Sequence, residues 1–250
     1  MKNKSKIEKL MAVAAALLLW QLASVIIGEE VLLVSPLKVL VRLSHLVFEK
    51  AFYSAVAFSF VRITFGFVLA VIAGCVFATA AYRWHTAEVF LWPYMSVIKA
   101  TPVASFIILC LIWLTSSSLP IFIAFLMALP IIYTNVLAGF KSTDKKLLQM
   151  ADIFRFSFSK KLKYIYLPSL KPHFLSACSV ALGLTWKAGI AAEIIGIPDG
   201  SMGEMLYSAK LYLATADLFS WTVTIVCVSI LFEKLFMKLI NAAFDRLEGL

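Results

Sequence analysis

Three charged side chains sit where charge is expensive. Lys99, Lys187 and Glu193 lie inside long apolar runs, 89–115 and 174–196. Holding a charge at the centre of a membrane helix costs roughly 2.5–3.5 kcal/mol on insertion scales, so such groups face a cavity or a partner. Lys187 and Glu193 are six residues apart and point about 120° from each other on a helix, so they do not pair on one face. Two readings of Lys187 stand. It offers an anionic solute an attractive charge at mid-depth, with Trp186 beside it to bracket the solute, or it belongs to a structural ion pair, for instance with Glu193 of a second copy. Glu193 is nearer the end of its run and reads more as structural than as pathway-lining.

A second feature is chemical in a different sense. Residues 139–172 form a polar, lysine-rich island between oily runs, containing Gln149-Met150-Ala151-Asp152-Ile153-Phe154-Arg155 and then Ile165-Tyr166-Leu167-Pro168. The spacing predicts a short helix over 145–156, with Leu147, Leu148, Ala151 and Phe154 on one face. Phe154, Phe156 and Phe158 add bulk that is costly in water unless it docks on something. Leu167-Pro168 is expected to break the chain before the next apolar run. A plain basic connector explains the lysines but neither the phenylalanines nor the length.

Catalytic patterns are lacking. There is no G-x-x-x-x-G-K-[ST] phosphate loop, no H-E-x-x-H and no G-x-S-x-G elbow, and His45, His85 and His173 are scattered. Cys75, Cys110, Cys178 and Cys227 each lie in an apolar run without C-x-x-C pairing, so they read as small buried apolar residues and no metal set is formed. No catalytic residue, metal ligand or cofactor of the chain's own is expected.

These groups need elements to hold them. The chain has 250 residues, 62% hydrophobic and 15% charged, with mean hydropathy +0.93. Soluble domains average about 45–50% apolar and about 25% charged, so this is an all-α integral membrane protein. Apolar runs place about six spans, near 11–27, 63–82, 89–115, 119–138, 174–196 and 218–240, after a polar 1–10 terminus. Residues 11–250 form one transmembrane domain. A basic start before an apolar run also fits a signal peptide, but this run is long for one and no A-x-A site follows it. Ser35-Pro36 marks a turn, and 37–50 reads as an amphipathic helix on the membrane surface. Pro93, Lys99 and Pro102 predict a break in the third run near Lys99–Pro102. With the N-terminus inside, sixteen Lys and Arg fall on inner segments and five (Lys38, Arg42, Lys50, Arg62, Lys210) on outer ones. That bias puts both termini and the island in the cytoplasm. It also accounts for the net charge of +9 without nucleic acid. The rival to an ATP-coupled importer is an ion-gradient-driven secondary carrier, which commonly shows broken spans at matching places in two halves; here one broken run has no counterpart.

The island resembles the signature loop of ABC-transporter permeases, E-A-A-x3-G-x9-I-x-L-P. Ala151, Ile165, Leu167 and Pro168 match in register, while Gln149, Met150 and Arg155 depart from it. Lys99 to Ser105 (K-A-T-P-V-A-S), Leu111-Ile112-Trp113, Trp186 with Ala191 to Gly196 (A-A-E-I-I-G), and Val34-Ser35-Pro36 resemble the nitrate/sulfonate/taurine group of these permeases, so the likeness runs from about residue 30 onward. It implies a coupling helix between spans four and five that seats in a cytoplasmic ATP-binding subunit, through Gln149, Met150, Ala151, Phe154, Arg155, Phe156, Leu167 and Pro168. It implies a pathway near Lys99, Trp186, Lys187 and Glu193, a second permease copy, an extracytoplasmic solute-binding protein and a bacterial cytoplasmic membrane. ATP and Mg would be used by the partner subunit. The solute would be a small anion such as nitrate, a sulfonate or taurine, or a thiamine-type precursor. The family's glycine permits a tight turn; Arg155 in its place is expected to take a less strained path, or to pair with an acidic residue of the motor subunit.

Overall fold

The computed structural model describes residues 2–249. Among them the chain is helical and has no strand: α1 (Lys2–Ile27), α2 (Pro36–Leu46), α3 (Lys50–Arg83), α4 (His85–Ala100), α5 (Val103–Cys110), α6 (Leu119–Lys141), α7 (Lys145–Ile153), α8 (Phe158–Lys161), a π-helical turn (Leu162–Tyr166), α9 (Leu167–Gly196), α10 (Met202–Leu211) and α11 (Thr215–Gly249). Four helical segments are long and apolar enough to cross a membrane: Leu10–Ile27, Lys50–Arg83, Leu119–Lys141 and Phe158–Gly196. The α4–α5 pair makes a fifth if counted as one span. The polar 1–10 segment is, from Lys2 onward, the first turns of α1; Met1 and Leu250 lie outside the described residues, as do the side chains of Lys2, Lys4, Lys6 and Lys9.

The break in the third run falls at Thr101-Pro102, where α4 and α5 meet at 102°. Thr101 is extended, at φ −77° and ψ 130°, as the residue before a proline must be. The run does not continue as helix to residue 115: α5 ends at Cys110 and turns follow. Two other boundaries also differ from the sequence reading. α3 starts at Lys50, thirteen residues before the apolar run, because its first turns pack on α10 and α11. Pro168 does not break the chain. It sits in the first turn of α9, and the π turn before it widens the backbone where the ring would otherwise strike the preceding carbonyl.

The core is α6 packed against both α3 and α9. α3 buries a run of small residues, Ala55, Ser59, Gly66, Ala70, Gly74, Ala78 and Ala81, with Gly66 and Gly74 set directly against α6. Lipid is as apolar as leucine, so helices in a bilayer gain little by hydrophobicity and associate by close packing of small residues. The approach is tightest at Gly66, where a Cβ would come 2.3 Å from the carbonyl oxygen of Ile121. α1 stays at the periphery, pinned at its end by Trp20 Nε1–H donating to the Val34 carbonyl (3.0 Å) and by the Trp20 ring against Phe219. α2 is capped by Ser35, whose hydroxyl accepts from Lys38 N–H at 3.4 Å. It is tied to α11 by the Arg42–Asp217 ion pair, and the hydrogen bond that Arg42 donates to Asp217 pushes the guanidinium pKa up from its ordinary value.

The α3–α6 contact gives a direct test. Gly66→Val is expected to lower the melting temperature of the purified protein, since overpacking of this kind costs roughly 1–3 kcal/mol. Gly183→Ala, with open space at that position, should leave it unchanged. Equal melting of Gly66→Val and wild type would show that the backbone contact is not tight.

Candidate functional site

At one end of the bundle, three aromatic rings join the ends of three elements. Tyr82 of α3 stacks on Phe140 of α6 at 5.0 Å, and Tyr166 of the π turn lies edge-on to both, at 6.0 and 5.8 Å. Lys141 at the end of α6 pairs with Glu88 of α4 at 2.5 Å. Ser142, one residue on, is 3.2 Å from His173 Nε2 of α9. The island therefore leaves and re-enters the bundle at fixed points.

Between those points α7 projects as a nine-residue helix. Asp144 caps it, accepting from Lys146 N–H at 2.8 Å. Its far end closes with Arg155 N–H donating to Asp152 O (3.0 Å) and Phe156 N–H donating to Ala151 O (2.8 Å), while Arg155 adopts φ 51°. This is the Schellman arrangement, which glycine usually completes. The expectation that Arg155 would avoid the glycine's path is thus corrected: the chain keeps the left-handed turn and accepts a cost of roughly 1–2 kcal/mol. The two hydrogen bonds, and an ion pair from Lys161 to Asp152 across the turn, hold it.

The faces of α7 divide clearly. Ala151 is fully buried and Leu148 half-buried. Leu147, Met150, Ile153 and Phe154 form an exposed apolar stripe at spacings of three and four, extended by exposed Phe158. Gln149 and Arg155 are exposed beside it, Phe156 is half-buried, and Leu167 and Pro168 begin α9. Ile153, 79% exposed, was missed by sequence reasoning because the face was drawn through Leu148 and Ala151. The i, i+3, i+6/i+7 series from Leu147 holds the signal that finds it.

At the other end, Glu193 is completely buried. Its Oε2 accepts from Ser59 Oγ–H at 2.7 Å and from Gly203 N–H at 3.1 Å, and Ser59 Oγ in turn accepts from Met202 N–H at 2.9 Å. One carboxylate thus joins α9, α3 and the N-terminus of α10, where the free amides and the helix dipole favour negative charge. α10 comes so close that a Cβ at Gly203 would lie 2.3 Å from that of Glu193. The Ser201-x-x-Glu204 capping box completes this end, with Ser201 Oγ accepting from Glu204 N–H and the Glu204 carboxylate accepting from Gly200 N–H. Neither Ser59, 134 residues away, nor Gly203, across the turn that follows α9, carries a sequence signal for this role.

The remaining predicted pathway residues are not brought together. Trp186 is buried, with Phe60 and Phe232 rings each 6.1 Å away. Lys187, next to it and turned about 100° around α9, is exposed and makes no ion pair among the described residues. Lys99 is exposed in the last turn of α4. No group of three His, Cys, Asp or Glu side chains among the described residues is placed to hold a metal.

Comparison with known proteins adds a family. Residues 66–247 match the model of the binding-protein-dependent transport system inner membrane component. The chain is 26% identical over 223 residues to the taurine transport system permease protein of Escherichia coli, covering 86% of this chain and 80% of that one. It is 24% identical over 204 residues to the nitrate import permease protein of Synechococcus elongatus, covering 77% and 72%. It is 25% identical over 184 residues to the bicarbonate transport system permease protein of the same organism, covering 73% and 66%.

The Glu193 junction predicts a graded response. Glu193→Ala orphans the Gly203 amide and the Ser59 hydroxyl, at about 1–3 kcal/mol for each unpaired buried group, and should lower the melting temperature of the purified protein. Glu193→Gln keeps an acceptor oxygen and should stay near wild type. Equal losses in both variants would show that charge, rather than the acceptor, holds the junction.

Proposed function

The chain belongs to the binding-protein-dependent inner membrane component family of ABC-transporter permeases, and on that premise we propose that it is the membrane subunit of an ATP-driven importer of a small anionic solute. The observation that carries the coupling part is the stripe on α7: an apolar face, exposed, on a capped helix anchored at both ends to the bundle. Such a peg seated in a groove of a cytoplasmic ATP-binding subunit would carry motion into α6 and α9 through their ring contacts. The motor subunit would bind ATP and Mg. The coupling residues are Gln149, Met150, Ala151, Phe154, Arg155, Phe156, Leu167 and Pro168, with Ile153 and Phe158 added. Arg155 also offers a charge to an acidic partner residue.

The topology that fits is six spans, α11 being the last, with both termini and α7 in the cytoplasm, following the asymmetry of Lys and Arg. A second permease copy and an extracytoplasmic solute-binding protein would complete the assembly in a bacterial cytoplasmic membrane. The anion reading rests on two supports. Taurine, nitrate and bicarbonate, named for the relatives, all bear an anionic group. Lys187 lies exposed on a core helix and makes no ion pair among the described residues, a position that costs free energy unless a cavity or ligand meets it. Glu193, by contrast, is engaged within the chain, so its part in the pathway would be to hold α9 and α10 rather than to meet solute.

Two outcomes are expected. Phe154→Asp should abolish ATP-driven uptake while the protein still accumulates in the membrane, because a charge cannot be buried unpaired in an apolar groove; wild-type uptake would make the island a passive linker. Lys187→Met should accumulate normally, since no carboxylate is stranded, and should slow uptake of an anionic solute by about tenfold or more, the size of one lost charge contact. Normal uptake would remove Lys187 from the pathway.

A further inference from the structure

Arg62 forms no ion pair among the described residues, although its charge acts at longer range on the buried Glu193 carboxylate. It lies on α3, and its Nε–H donates to the Ser117 carbonyl at 2.8 Å while its guanidinium carbon sits 3.4 Å above the Phe58 ring. No acidic side chain within ion-pair distance of it is found among the described residues, and its two terminal amino groups make no hydrogen bond there. Beside it is an open cavity of about 380 Å³ between α3 and the α5–α6 connection, whose lining mixes the polar side chains of Arg62, Thr115, Ser117 and Ser118 with the apolar ones of Val61, Phe65 and Ile121. The Ser117 hydroxyl is likewise without a hydrogen bond among the described residues.

Depth gives this cavity its meaning. From Arg62 to Tyr82 α3 runs twenty residues, about 30 Å of helix, the thickness of a bilayer's hydrocarbon core. Tyr82, Arg83 and Trp84 mark one interface, so Arg62 stands at the other, at the level of lipid phosphates. From the cavity an exposed apolar stripe, Phe65, Leu69, Ile72 and Val76, continues along α3 toward the bilayer centre. An arginine fork matches a phosphate geometrically, and the stripe below it matches an acyl chain.

We propose that this cavity is a phospholipid site, in which Arg62 and the Ser117 hydroxyl bind the phosphodiester and the α3 stripe carries one acyl chain. A free anion would use the polar side chains and leave Val61, Phe65 and Ile121 idle; a lipid uses both kinds. The bound lipid would brace the α5–α6 connection against α3, next to the Ser59–Glu193 junction.

Native mass spectrometry of the full-length permease titrated with phosphatidylglycerol tests this without any partner subunit, so its result stands apart from the importer reading. Wild type should retain the lipid, and Arg62→Met should reduce retention by about tenfold, with Arg62→Lys in between because it lacks the fork. Diacylglycerol, which has the tails without the phosphate, should bind wild type and Arg62→Met equally. Should Arg62→Met fail to accumulate, Ser117→Ala and Phe65→Ser carry the same comparison, each expected to lose retention. Equal retention by wild type and variants would overturn the proposal. So would glycerol 3-phosphate competing as well as the lipid, which would mark a soluble-anion site, or ready disulfide cross-linking of two copies through Phe65→Cys, which would mark an interface between copies.

Discussion

In hydrocarbon, two apolar helices gain almost nothing by leaving lipid for each other, so close contact must do what hydrophobicity does in water. The α3–α6 approach at Gly66 is that contact here. It fixes the three-helix unit of α3, α6 and α9 on which both candidate sites hang. Small residues let backbones touch over many dispersion contacts, each weak but summed along four or five turns. Were the gap wider, neither the ring cluster at Phe140 nor the Ser59–Glu193 bond would be within reach.

α9 has a fixed attachment at each end. Near its start, Tyr166 packs on Phe140 and Tyr82 and His173 meets Ser142; at its end, Glu193 binds Ser59 and the α10 amides. These attachments differ in kind. Ring contacts can slide and tilt at small cost, whereas a buried carboxylate bonded to two donors loses about 1–3 kcal/mol for each group it releases. A displacement delivered at α7 would therefore be absorbed at the aromatic end or passed on as a rigid movement of α9 with α10 attached. Two arrangements of such a unit, rather than a continuous bend, are what packed interfaces usually allow.

The sequence disclosed the parts that depend on composition and local spacing. The membrane class came from apolar runs, the kink from Pro102, and the α7 helix from alternation of Leu147, Leu148, Ala151 and Phe154. It failed where tertiary contact decides. Pro168 read as a breaker, because nothing local announces a π turn before it. The face of α7 was rotated, because burial of Ala151 depends on what lies beneath it. Glu193 was legible as a buried charge, but its partners Ser59 and Gly203 are 134 and 10 residues away, and a serine and a glycine in apolar runs look like packing residues. Arg62 entered only as one of five outer basic residues, which describes its depth without the cavity beside it.

Arg155 shows how far a family pattern constrains physics. The turn after α7 demands a left-handed residue, since Phe156 N–H must reach Ala151 O for the chain to reverse toward α8. Glycine meets that demand freely; arginine meets it at roughly 1–2 kcal/mol. Against that cost stand two backbone hydrogen bonds, each worth about 0.5–1.5 kcal/mol net, and the partly exposed Lys161–Asp152 pair, worth a fraction of that. The balance favours the turn, so the geometry survives loss of the glycine while the surface changes. The exposed end of α7 carries a long cation at Arg155, and Gln149 stands where the signature loop it resembles has an acid. Both changes move the charge of this face in the same direction, toward positive. On the proposed docking, a groove that receives this helix would be more acidic than one built for the family's usual loop, and complementarity of that kind sets partner choice and encounter rate more than it sets affinity.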